Sequence, residues 1–189
     1  MIIIALGESI ASLGISAGAL RVRGQLIVGA LLAMASAAAM WWAYFDVVAI
    51  AAEQRLRAAA PAEQPRLARD SYTYLHLPMI AGIVLFAVAV KKTLRATAHR
   101  LQPVSALALS GGVALYLYLI ALSAFRWRTF GAFNRGRLVA AAVLLALTPA
   151  STALPALLSL ALVAAIVCAL IAYERLRHTE ARNRIRHHA

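Results

Sequence analysis

Acidic residues are scarce in this sequence: 7 Asp and Glu stand against 19 Lys and Arg, for a formal charge of +12. Cysteine is scarcer still. A single Cys168 excludes an internal disulfide and a cysteine-built zinc site, and within an apolar run it reads as a small hydrophobe. There is no Ser-His-Asp arrangement, no glycine-rich phosphate loop and no HExxH. The chain is therefore expected not to be an enzyme, and neither a cofactor nor a metal is expected. It is basic, yet no basic face or aromatic platform stands outside the apolar runs, which argues against nucleic acid as a partner. No internal repeat shows. The start also lacks the positive n-region of a signal peptide, and Glu8 would interrupt its apolar core, so the first run is read as a genuine span.

What the sequence has in abundance is apolar length. At 63% hydrophobic residues and a mean hydropathy of +0.78 it exceeds any ordinary soluble domain. Length and polarity predict an all-α fold, a polytopic membrane helix bundle of about six transmembrane helices. The spans are placed at about 2–20, 25–49, 72–90, 104–125, 138–152 and 155–173, within a transmembrane domain 1–175 followed by a basic tail 176–189. The fifth is short, about 22 Å at the helical rise, so snorkelling by Arg137 or local thinning is expected there. Pro61 and Pro65 break the chain between the second and third spans. Asp70 or Ser71 can cap the third, and Thr152 with Pro155 suits the start of the sixth.

The positive charge sits in the breaks, near anionic headgroups, which makes the lipid bilayer the expected partner. A marked Arg and Ala bias points to a bacterial source. The loops after the second and fourth spans and the C-tail carry most of the arginines. By the positive-inside rule this predicts a multi-pass protein of the bacterial inner membrane with both termini cytoplasmic. Lys91, Lys92, Arg95 and Arg100 run against that bias. Glu174, Arg175 and Arg177 read as an ordinary helix-end charge pattern, and His178, His187 and His188 as part of a solvated tail.

Small residues indicate where helices approach. Gly7, Ala11, Gly14 and Gly18 form one stripe in the first span; Gly29, Ala33, Ser36 and Ala43, with Met40 among them, form one in the second. Such stripes let backbones come close in lipid, so these two helices are expected to pack tightly. Ser110, Gly111 and Gly112 predict a further close contact in the fourth span.

Three ionisable residues fall inside spans: Glu8, Asp46 and His76. Charge in hydrocarbon is costly, so each marks a candidate site. Antiparallel topology brings them to overlapping depths, about 10, 5 and 6–8 Å from the same surface. They are expected to form a proton or cation site, supported by Ser9, Trp42, Tyr74 and Pro78. Pro78 would free a carbonyl near Tyr74 for water, a cation or a side chain. The competing expectation is that Asp46 and its aromatic neighbours are interfacial anchors, with Glu8 and His76 as interhelical hydrogen-bonding glue.

At ALGESI and WWAYFD, and onward through HLPMIAGIV, GGVALYLYLIALSAFR, RLVAAAVLLAL and the closing YER, the chain resembles the bacterial low temperature requirement A family of multispanning membrane proteins. The resemblance covers nearly the whole length. It implies an integral membrane protein, in the best case a proton- or cation-linked transporter or channel-like module. The alternative is a non-catalytic component acting through assembly or lipid interaction. It points to Glu8, Ser9, Asp46, His76 and Pro78 as motif positions. Members of the family are about twice this length, so the resemblance is to the C-terminal half. An upstream N-terminal half or a homo-oligomer is the partner it implies.

Overall fold

Hydrocarbon offers no water to backbone N–H and C=O groups, so an apolar run that crosses it must close its own hydrogen bonds as a helix. The computed structural model, which describes residues 2–18, 23–46, 53–54, 56–69, 74, 76–126 and 131–177, is helical along each of the six apolar segments. The helices are α1 (Ile2–Gly18), α2 (Gly24–Phe45), the short α3 (Gln64–Arg69), α4 (His76–Arg95), α5 (Pro103–Ala106), α6 (Gly112–Arg126), α7 (Gly131–Ala153) and α8 (Ala156–Arg177). A π-helical turn, Leu107–Gly111, joins α5 to α6 in one rod. The expected cap at Asp70 or Ser71 and the tail histidines His178, His187 and His188 lie outside the described residues.

Among the described residues four helices are long and apolar enough to cross a membrane unaided: α2, α4, the Arg135–Ala153 part of α7, and α8. Pro103–Tyr118 is a shorter apolar stretch. The fifth segment is longer than its apolar run predicts, because α7 continues N-terminally through Arg135 and Arg137 as a helix of 23 residues.

Packing departs from simple sequential pairing. α2 lies mainly along α8, α6 lies between α4 and α7, and α1 leans chiefly on α4, with a lesser contact to α2. In α2 the small stripe is buried: Gly29, Ala33, Ser36, Met40 and Ala43 all face the interior. The stripe in α1 does the reverse. Gly7, Ala11 and Gly14 are exposed, and a Cβ on Gly7 or Gly14 would meet nothing within 4 Å. The expected tight pairing of the two stripes is therefore corrected. α1 turns Ile2 and Leu6 inward and leaves Ile3, Ile4 and Ile10 exposed.

The tightest crossing lies between α4 and α6. A Cβ on Gly82 would stand 2.6 Å from the Gly112 carbonyl oxygen, and one on Gly112 would stand 2.7 Å from that of Gly82. Only glycine on both sides allows this approach. Beside it, Ser110 Oγ donates to Ala106 O at 2.9 Å and lies 2.8 Å from Thr148 Oγ1 of α7. The close contact expected at 110–112 thus has Gly82 and Thr148 as its other walls.

The loop after α4 caps the start of α8. The N–H of Ala156 donates to His99 O at 2.8 Å and that of Leu157 to Thr97 O at 3.1 Å. These satisfy N–H groups that a helix leaves without intrahelical partners. Thr97 Oγ1 also donates to Gln25 Oε1 at 2.9 Å, tying in the start of α2.

Candidate functional site

The opposite end of the bundle is organised by side chains. α2 finishes on WWAYF, which places Ala43 and Tyr44 inward and leaves Trp42 and Phe45 half-buried. His76 is the first residue of α4 and is 9% exposed. Its Nε2 lies 2.6 Å from the Tyr44 hydroxyl, and the phenol donates when Nε2 carries no proton. The two rings meet edge to face, with centroids 5.5 Å apart. Trp41 stacks on Phe45 at 5.4 Å, extending the aromatic frame outward.

Asp46 follows as the C-cap of α2, its N–H donating to Trp42 O at 3.1 Å. Its Oδ1 is buried. A carboxylate there faces the negative end of the helix dipole, an arrangement that needs positive charge or donors nearby.

A second buried pair stands across the bundle. Arg137 of α7 donates from Nε to Glu174 Oε1 at 2.7 Å and from Nη2 to Glu174 Oε2 at 2.9 Å. The side chains are 4% and 8% exposed. The two-pronged fit matches guanidinium to carboxylate geometry. Tyr116 of α6 is wholly buried, and its hydroxyl donates to Met40 O of α2 at 2.8 Å. Arg175, next to Glu174, lies over the Trp42 ring at 4.7 Å, a cation–π contact that fastens α8 to α2. Trp42 Nε1 is buried and has no hydrogen-bond partner among the described residues.

The structure thus brings His76 and Tyr44 into contact, with Asp46 capping the same end of α2, while Arg137 and Glu174 form a separate buried pair between α7 and α8. Glu8 is not joined to them. It lies on the exposed face of α1, because residues two apart on a helix point roughly opposite ways and Leu6 is the buried one. Tyr74 is 63% exposed. Pro78 is half-buried in the first turn of α4, a position that tolerates a missing N–H. The side chain of Ser9 lies outside the described residues. Cys168 is exposed on α8. Among the described residues no three His, Cys, Asp or Glu gather as a metal ion would need.

Two expectations are corrected here. Arg137 does not snorkel past a short span, since its charge is met by Glu174 inside a longer helix. Glu174, for its part, is a buried counter-ion rather than part of a surface pattern. A signal for the pair existed. α7 and α8 form a helical hairpin turning at Leu154 and Pro155, and the two opposite charges stand at similar distances from that turn. Tyr116 left no such trace, being one aromatic among many.

A bundle of apolar helices with a buried ionic and hydrogen-bonded layer defines an integral membrane protein of the helical, multi-pass class. The family described as bacterial low temperature requirement A protein (LtrA) matches residues 1–172, and the chain belongs to that family. No curated protein and no solved structure matches it.

Proposed function

We propose that this member of the family is a proton-linked transport module of the inner membrane, with cytoplasmic termini and no catalytic role. The observation that supports the reading best is the buried Tyr44–His76 hydrogen bond. An imidazole at bilayer depth is costly unless used, and it is the side chain whose charge changes nearest neutral pH. Asp46, the C-cap of α2, places a carboxylate at the same end of the bundle. The test is proton-gradient-driven flux in proteoliposomes holding the full chain. His76→Gln and Asp46→Asn should abolish flux while unfolding behaviour stays close to that of the native protein. Full flux in both variants would end this reading.

A second reading, a component acting through assembly or lipid contact, is favoured by the same Tyr44–His76 bond taken as interhelical glue and by Glu8, exposed beside Gly7, Ala11 and Gly14 on α1. Glu8→Gln separates the two. Loss of flux returns Glu8 to the proton path; altered assembly with flux intact favours the second reading.

A further inference from the structure

Glu8 is placed unlike the other charged side chains of the described residues. It lies well inside α1, about 9 Å along the helix from its first residue and about 15 Å from its last, and it is exposed. Among the described residues no hydrogen bond or ion pair reaches it. The other exposed charges lie near helix ends or in the connections, where long stems carry them to the headgroups. The short stem of a glutamate does not reach so far. A carboxyl group facing hydrocarbon is costly, and ionisable residues within spans almost always face protein or water. This side of α1 therefore calls for a cover.

The same side is shaped to receive a helix. Gly7, Ala11 and Gly14 follow one another along it and are all exposed, and a Cβ on either glycine meets nothing within 4 Å. Ile3, Ile4 and Ile10 flank them, exposed as well. The corresponding row of α2 is already buried inside the bundle; the row of α1 is open. Small residues so spaced let a second helix backbone come close, and Glu8, beside Gly7, then stands at the edge of the crossing.

Depth decides which helix fits. Two copies inserted the same way, and related by a twofold axis along the membrane normal, hold every residue level with its own counterpart. About that axis α1 meets α1, small row against small row, and Glu8 meets Glu8, one carboxyl donating and the other accepting. A contact with another face of the second copy answers Glu8 less well. Tyr118 of α6 exposes a hydroxyl within the bundle's length, but Gly112 of that helix is already packed against α4.

We propose that two copies of this chain join through α1, the helices crossing at Gly7, Ala11 and Gly14 with the two Glu8 carboxyl groups hydrogen-bonded to each other. The inference holds under either reading above, since it names what covers α1 and not what the bundle carries.

The experiment counts subunits of the full chain in liposomes by single-molecule photobleaching at falling protein-to-lipid ratio. The background is Cys168→Ser, because Cys168 is exposed. That protein should show a monomer–dimer equilibrium. Glu8→Leu, Ala11→Leu and Gly14→Leu should each weaken the dimer by about tenfold, while unfolding midpoints in detergent stay native because all three positions are exposed. Ala11→Cys should form a disulfide between copies on oxidation, which requires Cα atoms within about 7 Å. Tyr118→Cys should not, either with itself or with Ala11→Cys. Should a leucine variant lower the midpoint, the Ala11→Cys disulfide decides. Monomers at every dilution, a dimer undiminished by all three leucines, or cross-linking through Tyr118→Cys in place of Ala11→Cys would each overturn the proposal.

Discussion

The two ends of this bundle are held by different chemistry. At the end where α8 begins, loop carbonyls from His99 and Thr97 take the free N–H groups of the helix, and two side-chain bonds, Thr97 to Gln25 and Lys92 to Ser105, add to them. No ionised side chain among the described residues there is buried. At the other end the joints are side chain to side chain: Tyr44 to His76, Arg137 to Glu174, Arg175 over Trp42. Backbone caps cost little and confer no chemistry. Buried ionic and hydrogen-bonded side chains are expensive to desolvate, and removing one partner strands the other. The difference indicates which end carries function, and it can be broken by substitutions ranked by what each leaves behind.

The largest loss should come from Arg137→Gln, which leaves Glu174 as a buried anion without its counter-ion. Breaking such a pair costs about 3–5 kcal/mol, read as a fall in unfolding midpoint in detergent. Replacing both partners, Arg137→Met with Glu174→Leu, should recover most of it, because no stranded charge remains. A single variant as stable as the native protein would dissolve the contrast between the two ends. Next comes the crossing between them. Alanine at Gly82 or Gly112 puts a methyl against a carbonyl of the facing helix, and forcing the helices apart should cost about 1–3 kcal/mol. Alanine at Gly7 or Gly14, where space is open, should leave the same midpoint unmoved. Tyr44→Phe ranks third. It removes one interhelical hydrogen bond, worth on average about 0.6 and at most about 1.7 kcal/mol in membrane proteins, so a small stability change with a large change in flux would separate function from glue.

How far the sequence foretold this differs by feature. Apolar length predicted a helical membrane bundle, because hydrocarbon permits little else. The ALGESI, WWAYFD and later patches pointed to the family. Of the candidate site, the end carrying Asp46 and His76 was legible, since antiparallel topology fixes level. Facing was not. Glu8 and the α1 glycines pointed to the interior by their residue types, yet residue type does not fix a helix's rotation: Ile2 and Leu6 are buried while the equally apolar Ile3, Ile4 and Ile10 are exposed. The π-helical turn at Leu107–Gly111 left no mark in the hydrophobic pattern, whereas Pro149 already stood inside the predicted fifth span and lies within α7. Arg137 and Glu174 each looked like ordinary end-of-helix charge until the α7–α8 hairpin placed them opposite one another.

The smallest effect sharpens the contrast from the other side. Thr97→Val removes the bond to Gln25 while leaving the Thr97 carbonyl to cap Leu157. The one group freed, Gln25 Oε1, sits at an exposed position, where headgroups and water replace the lost partner. The change should therefore fall within about 0.5 kcal/mol, with flux unaltered. The same threonine-to-valine logic fails at the buried end, where no solvent can substitute. If Thr97→Val instead lowered the midpoint as far as Tyr44→Phe, the loop would be a structural clamp of equal rank. The assignment of chemistry to one end would then rest on the Arg137–Glu174 pair alone.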